Sequence, residues 1–589
     1  MKQRRLIYPL NWALLCVPLC ISSAPAETPK VPSLPPARFL SSFTYADVKL
    51  LSDPLANQAK AARAFYLALS EDDLLNGFRL RAKLPAPGKP MGGWYDPEDF
   101  AGAHPFGQFI SALSRMYATT NDRRFKQKVA RLVHGFHQTI RQDGFFYSSD
   151  KAARDWPCYI YDKNCTGMRD AFRLTGNKEA LQVLSKMTDW AFTHMPRRND
   201  EWYTLPENLY NCYDLTHDSR YLKMAKEYDY STPFYDKFAV GQNAFSPNLH
   251  AYSHVNTLSS AAKAFEATGD PKYFDAVEGA WNYLTSTQMI ASGGWGPNER
   301  FVNAGKGNLL AAIMGTDQGF ETLCGTYANV NLDRYLLGFT GNAQYGDNME
   351  RVLYNGSLAS LPPQPDGHTF YYSDYRPTTQ KVLRSDKWTC CSGTYAEVTA
   401  DYPLNVYFHR DDQLFVNLYQ SSELTWNFKG QAIHLAQSST FPEQFESALT
   451  INLAGPAKFT LNLRIPTWCT SSPFITVNGR VPRDAKLENG FLSIVRDWKN
   501  GDTIQCTFSA KLRFEAIDSE SPDTVALMYG PILLVQVGDT AKSVGRDALN
   551  AKNAFKRGPE LEFVYQAENI HFRPFYRVKQ EKYTTYMKL

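Results

Sequence analysis

Thr268-Gly269-Asp270, followed by the helix-like run Pro271 to Ser286, is the stretch that decides the fold. Glycine ends a helix readily because it accepts a left-handed backbone, and aspartate caps the helix that follows. The same three-residue pattern recurs as Thr120-Asn121-Asp122, Thr175-Gly176-Asn177, Thr216-His217-Asp218 and Thr340-Gly341-Asn342. Helix-like runs such as Phe109 to Ala118 and Leu332 to Phe339 precede the turns, and Arg123 to Gln138 follows one. This is one helical hairpin turn used repeatedly. Its spacing is unequal, whereas a stacked solenoid keeps a fixed period. The pattern predicts a closed (α/α) toroid, with a less regular helical domain as the alternative.

Beyond about residue 410 the period changes. Leu449-Thr450-Ile451-Asn452-Leu453 and Phe459-Thr460-Leu461-Asn462-Leu463-Arg464-Ile465 alternate as strands do, and Phe491 to Val495, Thr503 to Phe508 and Val525 to Met528 continue the theme. Val477-Asn478-Gly479-Arg480 reads as a hairpin turn, because Asn-Gly accepts the positive φ angles of type I′. Short strands at this rhythm predict a β-sandwich. The fold class is therefore mainly α with β. The expected parts are a leader at 1–26, a Pro- and Ser-rich extension at 27–45, the helical domain at 46–410, the sandwich at 411–515, and a C-terminal β region and tail at 516–589.

The leader reads as a secretion signal: basic Lys2, Arg4 and Arg5, a mostly apolar run from Leu10 to Ile21, and Ala24-Pro25-Ala26 as the cleavage site. The apolar run is shorter than the roughly 20 residues that span a bilayer. The expectation is an exported protein, periplasmic or extracellular, without a membrane span. The formal charge is +4 over 589 residues, and the leader carries Lys2, Arg4 and Arg5, so the rest is close to neutral. That argues against a nucleic-acid partner. Aromatic residues make up 14%; exposed rings suit sugars, and most belong to a core.

Eight cysteines follow the leader: Cys158, Cys165, Cys212, Cys324, Cys390, Cys391, Cys469 and Cys506. Export makes disulfides the first reading, with Cys469 and Cys506 a candidate pair. The adjacent Cys390-Cys391 does not bridge to itself without strain. With Glu321 and Cys324 it forms a ligand set suited to Zn2+, which takes four tetrahedral ligands from Cys, His and Asp/Glu. Glu321 and Cys324, three apart, would share a helix face, and a loop would present the cysteine pair. A zinc-bound thiol is deprotonated, so one sulfur gains the character of a nucleophile. A purely structural zinc site and buried free cysteines are the competing readings.

Four blocks then carry a resemblance. Gly293-Gly294-Trp295-Gly296-Pro297-Asn298-Glu299, Phe320-Glu321-Thr322-Leu323-Cys324-Gly325-Thr326-Tyr327, Tyr345-Gly346-Asp347 with Glu350-Arg351-Val352-Leu353-Tyr354-Asn355, and Trp388-Thr389-Cys390-Cys391-Ser392-Gly393-Thr394 resemble the β-L-arabinofuranosidase-like family, glycoside hydrolase family 127, from about residue 60 to 540. The resemblance implies an (α/α)6 barrel followed by β-sandwich domains and a retaining hydrolase with a zinc-bound cysteine nucleophile. It implies Cys390 as nucleophile and ligand, Cys391, Cys324 and Glu321 as the other ligands, and Glu299 as general acid/base. Many members have one residue between the ligand Glu and the next Cys. Here there are two, which marks a divergent branch.

The roles have a physical basis of their own. Retaining glycosidases use two groups about 5 Å apart, a nucleophile and an acid/base; a thiolate replaces the usual carboxylate nucleophile here. His250 and His254, four apart, would share a face of a helix, and substrate contact, a second metal site and satisfied core histidines compete for them. The resemblance favours substrate contact. Asp162 in Tyr161-Asp162-Lys163 and His104 in His104-Pro105-Phe106-Gly107-Gln108 are candidates for the pocket wall, with helix capping as their bland reading. Tyr371-Tyr372-Ser373-Asp374-Tyr375 approaches the cysteine pair and borders the pocket. The expectation is a zinc-dependent retaining hydrolase that removes a terminal sugar such as a β-L-arabinofuranoside from an oligo- or polysaccharide. The alternatives are a polysaccharide lyase or unsaturated-sugar hydrolase on a similar toroid, and a non-catalytic zinc-stabilised carbohydrate-binding protein.

Overall fold

The computed structural model describes residues 39–589; the expected leader and residues 27–38 of the extension lie outside the described residues. The barrel helices are α1 (Pro54–Ala68), α2 (Pro105–Thr120), α3 (Arg123–Thr139), α4 (Pro157–Thr175), α5 (Lys178–His194), α6 (Leu205–Thr216), α7 (Ser219–Glu227), α8 (Ala251–Thr268), α9 (Pro271–Thr287), α10 (Thr322–Thr340), α11 (Gln344–Val352) and α12 (Cys390–Asp401). The even-numbered helices form the inner ring. α2 packs on α4, α4 on α6, α6 on α8, α8 on α10, α10 on α12, and α12 returns to α2. Every residue of α12 is buried, as an all-round enclosed helix must be. The outer α3 buries one stripe, Phe125, Val129, Leu132, Val133 and Phe136, and turns Arg123, Arg124, Lys126 and Arg131 to solvent. The result is the (α/α)6 barrel.

The repeated turn does what its residues dictate. Asn121, Gly176, His217, Gly269 and Gly341 each end an inner helix in the left-handed region, with φ from 54° to 74°. Asp122, Asn177, Asp218 and Asp270 then cap α3, α5, α7 and α9 through their side chains, and Asn342 accepts the backbone N–H of Gln344 at 3.1 Å. The leading threonine adds a clamp: Thr268 Oγ1 accepts from the Asp270 N–H at 3.3 Å and donates to Ala264 O at 2.7 Å. Inner helices approach closely where α2 and α4 cross. A Cβ on Gly167 would stand 2.5 Å from Gly107 O, and one on Gly107 2.2 Å from Lys163 O.

The sandwich consists of two six-stranded sheets over a core that includes Val48, Leu424, Trp426, Leu461, Trp498 and Ile504. Two strands ahead of the barrel join it. Ser41–Ser42 pairs antiparallel with His409 and Phe408 at the edge of one sheet, and Val48–Leu50 pairs with Ser422–Leu424 at the edge of the other. Asn478 and Gly479 adopt the expected positive φ, 50° and 75°. Val477 and Arg480 exchange backbone hydrogen bonds of 2.8 and 3.0 Å across this turn, as the hairpin reading expects, but the pairing goes no further: Phe474–Val477 lies in one sheet and Lys486–Glu488 in the other. The C-terminal strands, from Leu512–Ala516 to Met587–Lys588, form an eight-stranded sheet. Cys469 and Cys506 are free thiols rather than a bridge; Cys469 donates to Ser471 O at 3.1 Å. Among the described residues no helix is long and apolar enough to cross a membrane.

The block running from Tyr345 to Asn355 is the platform on which both β units dock. Fully buried Arg464 of the sandwich pairs with Asp347 and, at 3.0 Å, with Glu350. Arg351 holds Glu515 of the C-terminal sheet at 2.7 Å, and Asn355 bonds Pro531 O and Leu533 N at 2.8 and 2.9 Å. Gly346 faces the sandwich with no room for a side chain, since a Cβ would lie 2.0 Å from Asn417 Oδ1.

Candidate active site

The N-termini of all six inner helices open at one mouth of the barrel, so their unpaired N–H groups and positive dipole ends favour anions there. Cys390 and Cys391 are the first two residues of α12, not loop residues as the sequence suggested. Glu321 also differs from expectation: it stands just ahead of α10, in the two-residue strand Phe320–Glu321 that pairs with Tyr372–Ser373. It therefore does not share a helix face with Cys324, yet both reach one point. Glu321, Cys324, Cys390 and Cys391 are all buried, with ligand atoms within 4.8 Å of one another. Cys324 Sγ lies 3.4 Å from Cys390 Sγ and 3.5 Å from Cys391 Sγ, and Cys390 Sγ lies 3.5 Å from Glu321 Oε1.

The charges of this cluster conflict unless a cation joins it. Burial and the neighbouring Cys390 charge push Glu321 up to about 8, and burial drives the Cys324 and Cys391 thiols well above their ordinary value. Burial also raises Cys390, but hydrogen bonds from the Cys324 and Cys391 thiols and the Tyr371 hydroxyl outweigh it, holding Cys390 well below the usual thiol range. A divalent cation lets the other ligands ionise too. The spacing fits one: tetrahedral zinc with Zn–S bonds of about 2.3 Å sets its sulfurs roughly 3.8 Å apart.

Glu299 adjoins this cluster. His250, Glu299 and Glu321 place ligand atoms within 4.8 Å of one another. Asn298 and Glu299 both hold positive φ, 53° and 58°, an uncommon state for side-chain-bearing residues and one that concentrates at functional sites. Tyr372 OH donates to Glu299 Oε1 at 2.5 Å, and Tyr371 OH and Cys390 Sγ are hydrogen-bonded at 3.4 Å. His250, at the N-cap of α8, bridges carboxylates: Nδ1 is 2.7 Å from Glu201 Oε1, and Nε2 is 3.2 Å from Glu321 Oε2 and 3.7 Å from Glu299 Oε2. Burial disfavours its charge, but the bonds to Glu201 and Glu321 prevail and raise it well above an ordinary histidine.

The other expected residues separate. His104 Nδ1 donates to Ala101 O at 2.9 Å, so Nε2 is a bare acceptor, buried and without a partner among the described residues. Burial lowers His104 to about 4, against the pull of Cys390. His254 turns away from the carboxylates into a cage of Tyr203, Tyr230 and Phe234, with Nδ1 bonded to His250 O at 2.8 Å. Asp162 is buried between Lys163 Nζ at 3.1 Å and Asn208 Nδ2 at 2.7 Å, outside the metal cluster. Glu201 escaped the sequence reading. It is a single acid in a loop, and no spacing marks it.

Comparison with known proteins gives the family and the fold. A family model described as β-L-arabinofuranosidase, GH127 catalytic domain, matches residues 47–404, and one described as the GH127 middle domain matches 413–510. The chain is 23% identical over 416 residues to the non-reducing end β-L-arabinofuranosidase of Bifidobacterium longum subsp. longum, covering 61% of this chain and 62% of that relative's length. Among solved structures, a GH127 β-arabinofuranosidase superposes with a TM-score of 0.75 at 20% identity, over 94% of this chain and 99% of the other. A GH127 β-L-arabinofuranosidase from Geobacillus stearothermophilus T6 gives 0.73 at 19% identity, over 92% and 100%. These two likenesses establish the shared fold.

Proposed function

Because the chain belongs to the β-L-arabinofuranosidase family, glycoside hydrolase family 127, and is a glycoside hydrolase of that type, we propose that it is an exported, zinc-dependent retaining enzyme. In this reading it removes a terminal β-L-arabinofuranoside from plant-type glycans, with Cys390 as nucleophile. One observation carries the reading: Cys390 Sγ touches Glu321, Cys324 and Tyr371 in the same pocket as Glu299. Glu321, Cys324, Cys390 and Cys391 would hold the metal. When bound, zinc supplies the positive charge that keeps its ligands ionised and moderates the basicity of sulfur.

The side chains then divide the work. Glu299 gives its proton to the departing glycosidic oxygen as Cys390 Sγ bonds to the anomeric carbon. Glu299, now a carboxylate, takes a proton from water, whose oxygen replaces sulfur at that carbon. The two displacements together retain configuration. Tyr372 orients the Glu299 carboxyl and Tyr371 the sulfur. His250 fixes the carboxylates of Glu299 and Glu321 relative to each other, and His104 Nε2 accepts a sugar hydroxyl. His254 and Asp162 support the wall from behind. Export rests on the leader's basic, apolar and small-residue order.

The test is a panel of nitrophenyl glycosides, including both anomers of L-arabinofuranose, assayed with metal analysis of the purified protein. Hydrolysis of the β-L-arabinofuranoside with about one zinc per chain is the expected result. Full activity after complete metal removal overturns the zinc assignment, and activity confined to another sugar overturns the substrate.

A further inference from the structure

A cation beside these groups takes no part in those steps. Arg384 stands on the strand Leu383–Lys387, in the segment between α11 and α12. Its guanidinium carbon lies 4.5 Å from the centre of the Tyr371 ring, 5.4 Å from that of Tyr372 and 5.4 Å from that of Trp94. Tyr371 and Tyr372 are the residues whose hydroxyls touch Cys390 and Glu299. Arg384 is thus one aromatic ring removed from both reacting groups.

Its hydrogen bonding is shared between Asp386 and the Tyr372 hydroxyl. Asp386 accepts from Nε at 2.9 Å, and the Arg384 side chain remains 24% exposed. Among the described residues no carboxylate is hydrogen-bonded to its two terminal nitrogens. A planar guanidinium whose terminal nitrogens meet no carboxylate matches the two oxygens of one and binds them far better than it binds a hydroxyl. Trp94, half-buried, adds a third ring beside the guanidinium, and its exposed part offers apolar surface to a sugar.

Location decides which part of the substrate meets this pair. The acid/base must reach the glycosidic oxygen, so the leaving group lies on the Glu299 side of the pocket. Tyr372 binds Glu299 with its hydroxyl and faces Arg384 with its ring. On this reading the group attached to the leaving oxygen meets Arg384 across the Tyr372 ring, and the terminal sugar occupies the space over Cys390.

We propose that Arg384 and Trp94 form the leaving-group subsite and that the enzyme prefers an aglycone bearing a carboxylate, such as a uronic acid. This rests on the glycosidase reading above, with Glu299 as acid/base. The test compares two chromogenic β-L-arabinofuranosides, one of 4-nitrophenol and one of a hydroxynitrobenzoic acid. Each is assayed with wild type, Arg384→Met and Arg384→Lys, so that intrinsic leaving-group reactivity cancels between proteins. The acid-to-neutral ratio of kcat/KM is expected to fall about tenfold or more in Arg384→Met, mainly through KM, as for loss of a charge-assisted bond; Arg384→Lys keeps part of it. An unchanged ratio overturns the proposal. If wild type cleaves neither glycoside, the arabinofuranosidase reading fails, and calorimetric binding of galacturonate against galactose decides the subsite separately. A galacturonate preference that Arg384→Met abolishes supports it, and the absence of any preference overturns it.

Discussion

At the level of single residues, Cys390 and Glu299 are set apart by how the chain holds them. Cys390 occupies the first position of an inner helix, where N–H groups and the helix dipole favour a thiolate. Cys390→Ser is expected to abolish nitrophenyl glycoside turnover while circular dichroism shows the helical signal intact; retained turnover contradicts the nucleophile assignment. Glu299 projects from two consecutive left-handed residues. Glu299→Gln is expected to lower kcat by about 10²–10⁴-fold, with zinc content unchanged because Glu299 is not among the four proposed ligands. Loss of zinc in that variant would instead make it a ligand. The cysteine pair was legible in sequence because adjacent thiols have few bland explanations. Glu201 was not, because its meaning comes entirely from His250, which a turn of the barrel brings within 2.7 Å.

At the level of elements, the hairpin turns were readable because their physics is local. The left-handed residue, the cap and the threonine clamp all lie within a few residues of one another. Asp270→Ala should cost about 1 kcal/mol in denaturant unfolding, the usual loss of an N-cap. What holds the inner helices to each other was not readable, since it joins distant positions. Asp170 on α4 accepts from Arg115 and Ser111 of α2, at 3.0 and 2.8 Å, and pairs with Arg169. Burial opposes its charge, but Arg169 and Arg115 hold its carboxyl well below the usual carboxylate range. Because the folded value lies below the unfolded one, near 3.9, the stabilisation is complete above about pH 4 and fades as the pH falls further. Asp170→Asn is therefore expected to be destabilised by about 3–5 kcal/mol at pH 7. The gap to wild type should stay flat from pH 8 to 5 and narrow toward pH 3. A gap that widens on acidification contradicts the assignment.

For the whole molecule, the sequence located a helical part and a β part but not how they meet. The Tyr345–Asn355 block resembled a family signature, and its side chains join α10, through Asn348, to the β units. Asp347 and Glu350 are one helical turn apart on α11 and converge on a single arginine of the sandwich, Arg464, which has no exposed side-chain surface. The Ser41–Ser42 and Val48–Leu50 strands fasten the same sandwich from the other end of the chain, pairings between positions more than 350 residues apart that no local pattern announces. A buried charge left without its partner costs about 3–5 kcal/mol, whereas replacing the group on both sides by apolar side chains is close to neutral. Arg464→Met is therefore expected to lower the Tm and to expose the 402–420 connection to protease. Arg464→Met with Glu350→Leu should recover much of that loss despite having fewer ion pairs, since Asp347, 13% exposed, retains access to water. The pocket is built from barrel residues alone, so kcat per folded molecule should be the same in both variants. If the double variant is no more stable than the single one, Arg464 works through packing rather than charge, and the platform must be attributed to the close approach at Gly346 instead.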